Sequence, residues 1–82
     1  MEKKIAVISA ILENPVESQA RFNQTVAEYK GIVKGRMGIP FEEEGISVIA
    51  IVVFAPLDVI NSLTGKLGNI KGVMVKTAIA RK

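Results

Sequence analysis

Three stretches of this sequence bring together residue types that do chemistry. Glu42, Glu43 and Glu44 stand side by side, and carboxylate oxygens suit a hard cation such as Mg²⁺ or Ca²⁺. Adjacent residues do not converge on one ion, however, and the spacing is not that of a calcium-binding loop, so the run reads as a solvated turn and no metal site is expected. Gly35-Arg36-Met37-Gly38 offers two glycines that let backbone approach an anion, and a guanidinium able to hold a phosphate or carboxylate through two hydrogen bonds. It matches neither GxGxxG nor a Walker loop, and it reads more simply as a bulged or twisted edge strand. Asn14-Pro15-Val16 follows an apolar run and opens a helical one. Asn14 there is an N-cap, Pro15 fits the first helical position, and Glu17 completes a variant capping box. Backbone N–H groups at such a start favour an anion or a ligand carboxylate. The candidate ligand-binding residues are therefore Asn14, with Arg36 and Gly38 from an adjacent strand.

Composition excludes more than it suggests. The 82 residues contain no Cys and no His, which removes disulfides, thiolate nucleophiles, the commonest neutral metal ligand and the usual general base near pH 7. The serines and threonines have no imidazole to activate them, so no catalytic residue, cofactor or soft-metal site is expected, and the chain does not read as an enzyme. An acylphosphatase-like chemistry would need an arginine in the loop after the first strand, where Glu13-Asn14-Pro15 stands instead. The formal charge of +3 is spread along the chain rather than gathered in a basic stripe, and the strand-forming segments are aliphatic where RNA stacking needs aromatics, so direct nucleic-acid binding is not expected. Apolar residues after the basic start run only from Ile5 to Leu12 and no small-residue cleavage site follows, which argues against a signal peptide. The longest apolar run, Val48 to Leu57, is about half the roughly 20 residues that span a bilayer. A cytoplasmic protein of one domain, residues 1–82, is the expectation.

The elements that must position these residues follow from periodicity. Ile5 to Leu12 is short and rich in β-branched residues, a buried strand. A helix is expected from Pro15 to Lys30, with Val16, Ala20 and Ala27 flanked by Phe22, Val26 and Tyr29 on its apolar side and Gly31 as a left-handed close. Ile32 to Ile39 alternates, placing Val33, Gly35, Met37 and Ile39 on one face and Lys34 and Arg36 on the other, as in a charged edge strand. Pro40, the glutamates and Gly45 connect it to the strand Ile46 to Phe54. Pro56 opens a second helix carrying Ile60, Leu63 and Leu67, with Gly65 kept for close packing, Gly68 beyond its end, and Asn61, Thr64 and Lys66 on its wet face. Val73 to Ile79 is the last strand. The order is βαββαβ, an α+β ferredoxin-like sandwich with two helices on one face of a four-stranded antiparallel sheet.

Two helices cover only one face of such a sheet, yet the central strands are apolar on both. Val48, Ala50, Val52 and Phe54 alternate with Ile49, Ile51 and Val53, and Ile5, Val7 and Ile11 alternate with Ala6, Ile8, Ala10 and Leu12. A bare aliphatic face would be adhesive, so a homo-oligomer, dimer or tetramer, is expected to cover it.

With these elements placed, the chain resembles a family of small bacterial proteins assigned to regulation of the iron-only hydrogenase system. The resemblance rests on KKIAVISAILEN, on GRMGIP followed by an acidic turn and GISVIAIVV, and on INSLTGKLGNIKGVMVKTA. It implies an ACT-like version of the ferredoxin fold, similar to the C-terminal effector domain of nickel-responsive repressors, in a cytoplasmic protein of an anaerobic, hydrogen-metabolising bacterium. It also implies regulation through a small-molecule effector bound at a subunit interface, or through docking on a hydrogenase-system protein. The nickel ligands of those repressors are His and Cys, absent here, so nickel sensing does not transfer. Met1 to Lys4 leads directly into the first strand with no ribbon-helix-helix segment, so operator binding is not expected either.

Overall fold

Strand β1 (Lys3–Glu13) alternates exposed and buried side chains, with Ala6, Ile8, Ala10 and Leu12 turned inward, the pattern of a strand with one face on a core. It pairs antiparallel with β3 (Ile46–Pro56) and with β4 (Val73–Ile79), and β3 pairs antiparallel with β2 (Val33–Phe41), giving the order β2-β3-β1-β4. Helix α1 (Pro15–Ala27) joins β1 to β2 and α2 (Leu57–Gly68) joins β3 to β4. This is the ferredoxin-like βαββαβ fold read from the sequence. The computed structural model describes residues 2–81, so both ends of the expected 1–82 domain lie outside the described residues.

One core lies between the helices and one sheet face. Ile8, Leu12, Ile51 and Val53 from the sheet meet Phe22 and Val26 of α1 and Ile60, Leu63 and Leu67 of α2, all nearly or fully excluded from water. At about 25 cal/mol per Å² of apolar surface removed from water, this face is the main source of stability.

The first helix departs from expectation at both its face and its end. Its inward stripe is Ser18, Phe22 and Val26, spaced by four, whereas Val16 is 95% exposed and Ala20 and Ala27 face water. Ser18 can be buried because its hydroxyl donates to the Asn14 carbonyl at 3.2 Å, which satisfies it locally. The helix stops at Ala27, and Lys30–Ile32 forms a 3-10 turn that brings Tyr29, Ile32 and Val33 onto the core. Gly31 is not left-handed; the positive-φ glycines are Gly45 and Gly72. At Gly72 that conformation is needed twice over, since an added Cβ would also meet the Glu13 carbonyl oxygen at 2.7 Å.

In β2 a bulge between Val33 and Gly35 shifts the register. Val33 therefore packs on the core while Met37 and Ile39 stand on the opposite face, separating residues that simple alternation grouped together. In α2 the close approach falls at Gly68, whose Cβ would lie 3.2 Å from Val75, and not at Gly65, which has open space. Thr64 is no wet-face residue: its hydroxyl bonds the Ile60 carbonyl and the Thr77 hydroxyl of β4, each at 2.9 Å.

The second sheet face is as apolar as the sequence implies. Ile5 stands opposite Phe54, Val7 opposite Val52, and Val48 opposite both Ile11 and Ile39. Met37 (61%) and Met74 (54%) are the most exposed large apolar side chains of this face, which also carries Lys76 opposite Ser9.

Candidate functional site

The last pair of β1 with β3 is Glu13 opposite Ile46, and the last pair of β2 with β3 is Phe41 opposite the same residue. The β1–α1 turn and the β2–β3 connection therefore meet at one end of the sheet. Between them runs a groove of about 450 Å³ lined by Asn14, Pro15, Val16 and Glu17 on one bank and by Pro40, Glu42, Gly45, Ile46 and Ser47 on the other. This is within the size range of small-molecule sites.

Asn14 is at the groove, with a role different from the one expected. Its backbone is left-handed (φ 58°, ψ 59°) and its side chain makes no capping hydrogen bond. Side-chain capping needs an extended N-cap backbone, so the capping box with Glu17 does not form. Instead the Asn14 carbonyl accepts the N–H groups of Glu17 (3.0 Å) and Ser18 (3.1 Å). Asn14 lines the groove, and its carboxamide makes no hydrogen bond among the described residues.

Arg36 and Gly38 line a smaller neighbouring recess of about 160 Å³, which shares Pro40 and Ser47 with the groove. The structure thus places the three predicted residues on two adjoining concavities rather than in one. Arg36 is also engaged: its guanidinium donates to the Asn23 carboxamide oxygen and lies 5.7 Å from the centroid of the Phe22 ring. Gly38 faces Ile49, whose Cγ1 would lie 3.8 Å from an added Cβ.

Sequence reasoning put Val16 on the apolar side of α1, whereas it stands exposed on the groove, and it missed Ser47. Ser47 is 8% exposed and borders both concavities, and its hydroxyl makes no side-chain hydrogen bond among the described residues. No pattern in the chain marks it, because its position depends on two connections meeting. The three glutamates form a short 3-10 turn, Glu42–Glu44, and no metal-holding group of three such side chains occurs among the described residues.

A second polar cluster ties the helices together. The Tyr29 hydroxyl and the Ser62 hydroxyl are 2.9 Å apart, and the Lys66 ammonium lies 5.2 Å from the Tyr29 ring centroid and 3.6 Å from Glu28. The bond to Ser62, and next the nearby Lys66, lower the Tyr29 pKa, while bonding to Tyr29 raises that of Lys66. Lys66 and Glu28 are more than half exposed, so this is a surface clasp of modest worth.

Residues 4–77 match the model of the TM1266-like family, described as "Iron-only hydrogenase system regulator, putative". The chain belongs to this family. A solved structure of the uncharacterized protein TM1266 from Thermotoga maritima is similar over 98% of this chain and 100% of that one, with 30% identity and a TM-score of 0.93. No curated protein matches the chain. The family's description is that of a regulator. Among the described residues no helix is long and apolar enough to cross a membrane.

Proposed function

We propose that this chain is a non-enzymatic, ACT-like regulatory domain of the iron-only hydrogenase system that self-associates through its open sheet face and binds a small effector in the groove beside Asn14. The observation that carries the reading is the groove itself, set between the β1–α1 turn and the β2–β3 connection at the margin of an uncovered apolar face. Phe41 and Ile46 lie at that margin, so a ligand in the groove would touch whatever covers the face. Strand spacing and rise give this face an area on the order of 600 Å², close to the roughly 800 Å² per partner of a standard interface. A cytoplasmic place of action goes with this reading.

A second reading is favoured by one feature of the same face. Met37 and Met74 are both more than half exposed, and methionine suits surfaces that adapt to another protein. Under that reading the face docks a hydrogenase-system component and no small ligand is needed. Arg36 lies off the open face, on the helix side of the β2 edge, where its exposed guanidinium bonds Asn23 of α1.

The two readings separate in a thermal-shift screen of the purified protein against amino acids, nucleotides, amines, pathway metabolites and divalent metals. A ligand at a hundred times its dissociation constant stabilises the native state by about 2.7 kcal/mol, a shift of several degrees in a domain of this length. A ligand that shifts the melting point and perturbs the Val16 and Gly45 amides supports the effector reading. Silence across the panel, together with partner capture lost on Val52→Lys, moves the function to docking.

A further inference from the structure

A second copy on the open sheet face could lie with its strands parallel or antiparallel to those of the first, and the two ends of β1 distinguish these arrangements. Along β1 the side chains on this face are Lys3, Ile5, Val7, Ser9, Ile11 and Glu13, because Ala6, Ile8, Ala10 and Leu12 between them are buried on the core. The row has an ammonium at one end and a carboxylate at the other. Lys3 lies over the face, its ammonium 5.6 Å from the centroid of the Phe54 ring. Glu13 stands opposite Ile46 at the far end. Neighbouring charges follow the same division. Lys34 reaches the Lys3 end, where it lines a shallow hollow with Ile5, Val52 and Phe54, and the turn Glu42–Glu44 lies beyond the Glu13 end, next to the pair of Phe41 with Ile46. The salt bridge found among the described residues, Lys66 with Glu28, involves none of these charges.

The relief of the face has a matching pattern. Gly35, Val52, Val7 and Ala78 form one row across the sheet, and Met37, Ala50, Ser9 and Lys76 form the next. The midpoint between Lys3 and Glu13 falls between these two rows. A half-turn about an axis lying there, across the strands, lays each row over the other. Met37 then stands over the partner's Gly35, Lys76 over the partner's Ala78 and Val52 over the partner's Ala50. The same operation sets Ile5 over the partner's Ile11 and Lys3 over the partner's Glu13. Long side chains meet short ones, as interdigitation of two sheets about 10 Å apart requires. A half-turn about an axis along the strands instead brings Lys3 toward the partner's Lys3 and Glu13 toward the partner's Glu13, which repel.

On the footing that the open face self-associates, we infer that its occupant is a second copy of this chain packed face to face with antiparallel strands, held in register by two symmetric ion pairs of Lys3 with the partner's Glu13. The contact is isologous and closes at two copies. Aligned sheets cross by about 30°, and the combined length of a lysine and a glutamate spans the offset that this makes at the ends. The pairs sit at the wet rim, so they select the orientation more than they add affinity. Lys76, on the edge strand β4, keeps its ammonium in water by extending past the edge.

Charge swaps in the full chain test this at low ionic strength, where such pairs are least screened. Lys3→Glu and Glu13→Lys should each weaken the homodimer about tenfold, read by analytical ultracentrifugation, because each replaces two attractions by two repulsions. Mixing the two variants should restore wild-type affinity in a heterodimer, and the chain carrying both swaps should restore it alone. Because the chain has no Cys, a spin label on Glu2→Cys is unique. The two labels of an antiparallel dimer should lie roughly 35 Å apart, given about 3.3 Å of rise per residue. A dimer unmoved by either swap, a loss that mixing does not repair, or labels within about 20 Å of each other overturns the orientation and leaves self-association standing. A wild-type chain that sediments as a monomer at micromolar concentration overturns both.

Discussion

At the scale of single residues, backbone conformation decides what Asn14 does. A left-handed φ of 58° without a side-chain cap means that the position values conformational tolerance more than a capping oxygen. Asn14→Gly should therefore leave stability within about 0.5 kcal/mol, whereas Asn14→Ala should cost about 1 kcal/mol. Equilibrium urea unfolding measures both; equal losses would return Asn14 to a capping role. Tyr29 is the chain's single tyrosine, so phenolate absorbance reports it alone. Its titration should fall below the ordinary value of 10, owing to Ser62 first and Lys66 second. Ser62→Ala and Lys66→Met should each move the midpoint back up. Because the folded value is depressed, Tyr29 adds stability as pH rises through that value, fully so above 10; the raised Lys66 contribution is present below its ordinary value and is lost at higher pH.

At the scale of elements, Arg36 is a tie between an edge strand and a helix. It reaches from β2 to Asn23 and the face of Phe22 on α1, across an edge that the bulge between Val33 and Gly35 already loosens. Arg36→Ala should cost about 1 kcal/mol, from a cation–π contact and a hydrogen bond near the surface. Its signature should be faster hydrogen exchange in β2 than in β1 or β3, seen by NMR. Uniformly faster exchange would mean that Arg36 supports the whole core. The strand assignments were legible from β-branched runs because each lies between clear turn residues. The α1 stripe was not, since a serine occupies one of its buried positions and a valine a nearly fully exposed one, and hydropathy alone ranks those two in the wrong order.

At the scale of the whole molecule, the uncovered sheet face is the property that matters most. If a second copy covers it, light scattering at micromolar concentration should give at least twice the 8.8 kDa of one chain. Val52→Lys, in the middle of β3 and opposite both Val7 and Gly35, should then yield monomers without loss of fold, because its side chain already stands on the open face. A wild-type chain that scatters as a monomer would overturn self-association.

The sequence by itself determined the order of elements, the fold class and the two-sided apolar sheet, since each follows from local periodicity and turn residues that neighbours in the chain carry. It also pointed to Asn14 as a place of interest, through its position between a strand and a helix. What only the tertiary structure decided is the groove: Ser47, Pro40 and Glu42 become neighbours of Asn14 because Glu13 and Phe41 both pair with Ile46. Register across non-adjacent strands has no local sequence signal, so that groove became readable only once the sheet had brought its banks together.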